Sequence, residues 1–543
     1  MTDQPRHESS SRGGIFDALP RLGTPGSRSA LLHLDETPAD TSARPSFREA
    51  NRFSLLRILG TVGALLIALG GLGGGALPVV ENPFGQLPLG DIMARMLQTS
   101  SALVLIGVAF MVTAWVFMMP FITKRDNNLP VSPALVMRSF VAWTLPLIFT
   151  APLFTQDIYS YLAQGSIVAQ GMDPYEAGPV QLLGTENHLA RSVPFIWADS
   201  PSPYGPVALG IAAAISVITN DSILLGVLSH RLISVIFLFG AAWAITALAK
   251  RCSVNPATAL WLGILNPLTI LHLVGGIHNE SVMLGLMLIG MEVGLRGINR
   301  IGEQGHRASG WTLIILSGFL ISCAGMVKVT GFVALGFTGM ALARHFGGWR
   351  GLFNAIVVQV LVLVGTIGTV SWVTGIGLGW ITGQGGAATI RSWLSISTDI
   401  GVVFGFIGML LGLGDHTDAV LVFTRGICAL VAAAFVVRML WATYRGSIHP
   451  VGGLGVSMFV LVILFPVVHP WYMLWAILPL AAWANRNFFR YAVVGYSALF
   501  SFIVLPRGLS LPPDTVAAIY AAAIIGYAVL LFFAWLWLRK KSV

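Results

Sequence analysis

Apolar runs close to the length of a bilayer crossing recur along almost the whole chain. They fall at 55–77, 101–122, 135–153, 229–249, 257–274, 281–296, 311–325, 329–344, 353–373, 419–441, 452–468, 471–484, 490–505 and 516–538. A helix needs about 20 apolar residues to cross hydrocarbon, and in lipid only helices and closed barrels satisfy their own backbone. The runs therefore predict an all-α polytopic membrane protein with about 14 transmembrane helices. Composition agrees, because only 10% of the 543 residues are charged, against about 25% in soluble domains. The net charge of +9 is spread singly along the sequence rather than gathered into a patch, which excludes a nucleic-acid partner. Cys252, Cys323 and Cys428 match no disulfide framework or metal spacing and read as small core residues.

Residues 1–52 carry Ser, Pro, Arg and Asp without an apolar run and are expected to form a disordered tail. No stretch there resembles a cleavable signal. The remainder, 53–543, reads as one membrane domain. Two shorter apolar stretches, 205–219 and 400–413, read as re-entrant or interfacial helices. With both placed outside, the cations sort well by side. Lys124, Arg125, Lys250, Arg251, Arg296, Arg344, Arg438, Arg445 and Lys540 are cytoplasmic, as are both termini. Asp157, Asp173, Glu176, Glu186, Asp199, Glu280 and Asp399 lie outside. The longest loop, 154–204, is then external, and the expected location is a multi-pass plasma-membrane protein with its working face toward the periplasm or cell exterior.

Ionisable residues outside the cytoplasmic ends are few, and several of them are candidates for chemistry. Asp157 falls where the third run emerges, followed by Ile158-Tyr159-Ser160-Tyr161. A carboxylate at that boundary suits a general base, and Asp is equally a favoured helix N-cap, so spacing leaves both open. Lys328 interrupts an apolar stretch, a costly position that points either to an anionic ligand such as a phosphate or to a carboxylate partner. Arg391, in the loop Ala387-Ala388-Thr389-Ile390-Arg391-Ser392-Trp393, and Arg425, near the outer end of its segment, suit phosphate or headgroup binding. His278 and Glu280 follow Gly275-Gly276, where they suit sugar hydroxyls or, for His278, a phosphate; Glu280 is alternatively a first-turn helix residue. Two ligands at that spacing are a weak metal signal, so no metal site is assigned. His469-Pro470-Trp471-Tyr472 opens another run, where Trp and Tyr also suit an interfacial belt. Glu292 precedes Arg296 by one helical turn and reads as its ion-pair partner. Gly71, Gly73, Gly74 and Gly75 lack a following Lys-Ser/Thr and read as a close helix contact rather than a phosphate loop.

The pattern Asp157-x-Tyr159-x-Tyr161, with Gly165, Gly171, Pro174-Tyr175 and Tyr204-Gly205-Pro206, resembles the GT-C superfamily of polyprenol-phosphate-sugar-dependent glycosyltransferases. Gly276-Ile277-His278-Asn279-Glu280 and His469-Pro470-Trp471-Tyr472 resemble its actinobacterial α-1,6-mannosyltransferases of lipomannan synthesis. The likeness covers 55–538. It implies a GT-C type fold and an inverting transfer of mannose from a polyprenol-phosphate-mannose donor to a lipid-anchored mannan acceptor. Asp157 would be the catalytic base. Lys328, Arg391, Arg425, His278 and His469 would meet the donor phosphate, and Gln156, Tyr159, Tyr161, Tyr175, Tyr204, Glu280 and Tyr472 the sugar or acceptor. Membrane lipids are further partners. This reading demands no cofactor, while a divalent metal stays open. Arabinose or glucose as the donor sugar, and transport or flipping of a lipid-linked sugar, are the alternative functions.

Overall fold

The computed structural model describes residues 47–78, 80–122, 131–383 and 391–541. The expected tail lies outside them as far as residue 46, as do Lys124 and Arg125. Every regular element among the described residues is helical. The longer helices are α1 (Phe47–Gly74), α2 (Leu97–Ile122), α3 (Pro133–Thr144), α4 (Asp157–Ala169), α5 (Pro206–Thr219), α6 (Ile223–Arg251), α7 (Pro256–Gly263), α8 (Glu280–Gly302) and α9 (Arg307–Gly325). They continue with α10 (Val333–Phe346), α11 (Gly348–Thr374), α12 (Ile396–Leu410), α13 (Thr417–Arg445), α14 (Pro450–Leu464), α15 (Leu474–Trp483), α16 (Asn487–Phe500) and α17 (Pro513–Lys541).

Eight of these are long and apolar enough to cross a membrane: α1, α2, α6, α8, α9, α11, α13 and α17. The count of about 14 is not confirmed by that measure, because the other runs fold as short or broken helices. The run at 257–274 divides into α7 and a π-helix, Thr269–Gly275. Pro267 disfavours helical backbone at Asn266. The Asn266 amide supports the break by donating to Leu262 O and Ser497 Oγ while accepting from Leu268 N. The run at 471–484 likewise begins with a 3₁₀ turn, Pro470–Met473, before the ten residues of α15. The stretch at 205–219 is helix α5, packed against α4, and 400–413 lies largely within α12.

Packing follows the pattern of small residues. A Cβ at Gly63 would meet Gly107 O at 2.6 Å, so α1 and α2 approach more closely than any larger pair would allow. The glycines at 71–75 extend that contact: a Cβ at Gly74 would meet Ser101 N at 2.6 Å. The innermost helix is α8, whose crossing window is 89% buried, whereas that of α11 is 11% buried and lines the periphery. Trp115 and Trp261 stack with centroids 5.0 Å apart, and each indole donates to the other's carbonyl at 3.0 Å, so two large buried side chains leave no polar hydrogen unpaired.

One buried cation organises the end of the bundle where α4 begins. Arg231, on α6, is fully buried and donates to five backbone carbonyls: Ile148, Thr150, Ala151, Val274 and Gly275. The guanidinium's five N–H groups suit such a cluster. It thereby ties the segment leading to Asp157 to the segment leading to His278.

Candidate functional site

Asp157 is the first residue of α4, and its backbone N–H donates to Thr155 Oγ1 at 3.1 Å. The N-cap position belongs to Gln156, so the Asp157 carboxylate does not cap the helix and is turned elsewhere. Its Oδ1 accepts from the Trp197 indole at 3.1 Å, and its Oδ2 lies 3.7 Å from His278 Nδ1. The carboxylate side chain is 26% exposed, toward a cavity of about 380 Å³. The loop before it is fixed from the far end of the chain: Phe154 N donates to Pro506 O at 2.7 Å. Gly508, at φ +69°, sits so close that a Cβ would meet Thr155 Cα at 2.7 Å. Glycine is required there on both counts.

Another part of the wall carries Lys328 and Glu280. Their side chains pair at 2.7 Å, and the ammonium also lies 4.0 Å from the Tyr472 ring centroid and 4.8 Å from that of Trp475. Lys328 is thus carboxylate-paired, with one of its three donor positions engaged by Glu280. Burial disfavours its charge, but Glu280 together with Tyr472 and Tyr204 offsets that effect and raises the Lys328 pKa, so the ammonium stays ionised. Gly205 brings the end of the long loop against this wall, since a Cβ there would meet Met326 O at 2.2 Å. Tyr204 then faces the cavity, its hydroxyl 3.2 Å from that of Tyr161. Burial and the nearby Asp157 carboxylate raise the Tyr204 pKa, leaving a protonated donor.

Trp471 joins the walls. It is buried, with its ring stacked on His278 at 4.2 Å, His469 at 4.5 Å and His272 at 4.8 Å between centroids. Burial lowers the pKa of both His278 and His469, the latter to about 4, so both imidazoles are neutral near pH 7. The arrangement joins a partly exposed carboxylate, a paired ammonium, two neutral imidazoles and phenolic hydroxyls around one apolar-floored cavity. That combination can take a proton from a hydroxyl and hold a polar ligand beside an apolar one.

Eight sequence candidates line this cavity together: Asp157, Lys328, His278, His469, Glu280, Tyr161, Tyr204 and Tyr472. The others lie elsewhere. The Gln156 amide donates to Leu77 O, the Tyr159 hydroxyl donates to Ala76 O, and both side chains are buried behind α4. Tyr175 supports the loop by donating to Tyr204 O at 2.9 Å. Arg391 pairs with exposed Asp418 at 2.9 Å, and Arg425 donates to Thr398 Oγ1; neither lines the cavity. Trp197, Gln164, Ser160 and Thr330 line it without having been singled out. Among the described residues, no group of three or more His, Cys, Asp or Glu is placed to hold a metal ion.

Residues 57–344 match a family model described as alpha-(1->6)-mannopyranosyltransferase, N-terminal domain, and 397–532 match an MptB C-terminal domain model. The chain is 60% identical to alpha-(1->6)-mannopyranosyltransferase B of Corynebacterium glutamicum, over 97% of this chain and 92% of that protein. It is 39% identical to an alpha-(1->6)-mannopyranosyltransferase of Mycobacterium tuberculosis, over 86% and 84% respectively. Among solved structures, the oligosaccharyltransferase AglB of Archaeoglobus fulgidus, in complex with an inhibitory peptide and a dolichol-phosphate, aligns with 72% of this chain and 56% of its own. At a TM-score of 0.38 and 12% identity, that likeness is too remote to bear on the site. The two models together cover most of the chain, both relatives match it nearly end to end, and the chain belongs to the alpha-(1->6)-mannopyranosyltransferase family.

Proposed function

We propose that the chain is an inverting glycosyltransferase of GT-C type, moving mannose from a polyprenol-phosphate-mannose donor to a lipid-anchored mannan acceptor through an α-1,6 bond on the outer face of the plasma membrane. The observation that carries this reading is the Asp157 carboxylate, held by Trp197 and His278 and open to a cavity shared with Lys328. The family's activity fits that arrangement.

In the reaction, the acceptor hydroxyl oxygen bonds to the anomeric carbon of a β-linked mannosyl phosphate, and the bond from that carbon to the phosphate oxygen breaks. Attack from the opposite face inverts the centre to α. Asp157 takes the hydroxyl proton, and phosphopolyprenol leaves with the bonding electrons. Lys328, with donor positions beyond the one Glu280 engages, faces the departing phosphate. His278 and His469, being neutral, serve as hydrogen-bond donors or acceptors rather than countercharges. Phe465, Pro466 and Val467 line the same cavity and suit the first prenyl units. The acceptor is a growing glycan for lipomannan and lipoarabinomannan. Carriage of a lipid-linked sugar across the bilayer is less well supported, because the charged pocket at the opposite end, around Glu292, shares no lining residue with this cavity.

The test is transfer from mannosyl-phosphopolyprenol by purified Asp157→Asn, with product linkage analysis. Loss of transfer with the protein still folded supports the base assignment. Turnover near the wild-type rate removes it, and a panel of arabinosyl and glucosyl donors checks the sugar.

A further inference from the structure

At the other end of α6 lies a second pocket, of about 320 Å³, lined by Trp243, Lys250, Arg251, Glu292 and Arg296 among others. Its lining on α6 runs from Trp243 to Arg251, and Arg251 lies about 30 Å along the helix from Arg231, the thickness of a hydrocarbon core. Glu292 is buried, its side chain 1% exposed, and both of its oxygens are taken. Arg251 donates through Nε and Nη2 at 2.6 and 3.0 Å, and Arg296 through Nε at 2.5 Å. Arg296 also lies over the partly exposed Trp243 ring, 4.9 Å from its centroid. One carboxylate therefore orients two guanidinium groups, and exposed Lys250 adds a third cation to the same lining.

The ion pair alone does not account for this construction. A single buried Glu292 offsets one positive charge, leaving the lining with an excess of two. Two guanidinium groups oriented by one carboxylate thus share a pocket lining with an ammonium and an amphipathic Trp. That combination recognises a phosphate: bidentate donors match its oxygens, and the aromatic neighbour fits the interface where lipid headgroups lie. We infer that this pocket binds a phosphate group at the membrane face opposite the Asp157 cavity, carried by an anionic phospholipid headgroup or free in solution. The carboxylate of Glu292 serves as the brace that spreads the two arginines, and the ligand closes the cluster from outside. Because none of these residues lines the Asp157 cavity, the site is independent of the transfer reaction.

Thermal unfolding of the purified full chain in detergent tests the assignment, with phosphatidylglycerol, phosphatidylcholine and inorganic phosphate added in separate arms. The comparison variants are Lys250→Gln and Arg296→Gln, which leave the Arg251–Glu292 pair intact. Phosphatidylglycerol is expected to raise the melting temperature by several degrees in the wild type and by less than half of that in each variant, with phosphatidylcholine inert. An equal rise with inorganic phosphate, also lost in the variants, supports the site and assigns a soluble ligand. No rise in either anionic arm, or a rise undiminished in both variants, overturns it. Mannosyl transfer by both variants remains at the wild-type rate, so failure here is distinguishable from failure of the proposed reaction.

Discussion

Replacing Trp197 by Phe isolates a single interaction at the proposed base. The indole N–H donates to Asp157 Oδ1 at 3.1 Å across forty residues of sequence, and Phe keeps an aromatic ring while removing that donor. Hydrogen bonds to charged groups contribute about 1.5–3 kcal/mol. About 1.4 kcal/mol corresponds to a factor of ten, so full loss of the restraint corresponds to a decrease of about 10- to 100-fold in kcat. Trp197 is only half-buried, and its helix, Phe195–Ala198, is a single turn in the long loop. Stability should therefore change little. The assay is steady-state transfer with the mannosyl donor varied at saturating acceptor, alongside a melting curve for each protein. The expected pattern is a lowered kcat with donor KM within about twofold and an unshifted melting temperature, since a positioning group acts on the reacting geometry rather than on donor binding. A Trp197→Phe enzyme turning over at the wild-type rate refutes the reasoning, as does a parallel collapse of melting temperature and activity.

Arg231→Met leaves five carbonyls without their common donor. With about 1–3 kcal/mol for each buried group left unpaired, the variant should be recovered poorly and melt at least 10 °C lower by fluorescence-detected size exclusion. Lys328→Met leaves the Glu280 carboxylate unpaired and should destabilise by about 3–5 kcal/mol. The double variant Lys328→Met/Glu280→Gln should regain most of that stability without regaining transfer, and recovery of both would confine Lys328 to a structural role. His469 is held near pKa 4 by burial, below its unfolded value, so the unfolded chain binds a proton that the folded chain refuses. Stability should then fall as pH drops from about 6.5 toward 4, and His469→Gln should flatten that slope in melting curves.

The cavity was legible where cost makes a residue conspicuous. An ionisable group amid apolar runs demands a partner, and Asp157, Lys328 and Glu280 were each visible for that reason; the structure places them around one cavity. Direction within α4 was harder to read. At about 100° per residue, Tyr161 returns to the face of Asp157 after four positions, whereas Tyr159, two positions on, points backward to Ala76. Both looked alike in sequence. Arg391 and Arg425 suit a phosphate by charge and topology, but the packing of α12 against α13 leaves Arg391 with Asp418 and Arg425 with Thr398, away from the cavity. Trp197 carries no charge and meets Asp157 only through tertiary structure, and Trp471 resembled an ordinary interfacial Trp until the rings around it were in place. The span count departed for a related reason: hydropathy registers an apolar run but not the Asn266 and Pro267 break inside one.

The stack of His278 on Trp471 also has a consequence for engineering. His278 belongs to the stretch matched by the N-terminal family model and Trp471 to the stretch matched by the C-terminal one, while Gly508 presses on Thr155 across the same seam. Each half thus holds part of the cavity wall and part of the clamp on its loop. A chimera joining halves from two relatives will need both sides of this seam from one parent. Two separately expressed halves, mixed after purification, should regain turnover only to the extent that they re-form these contacts.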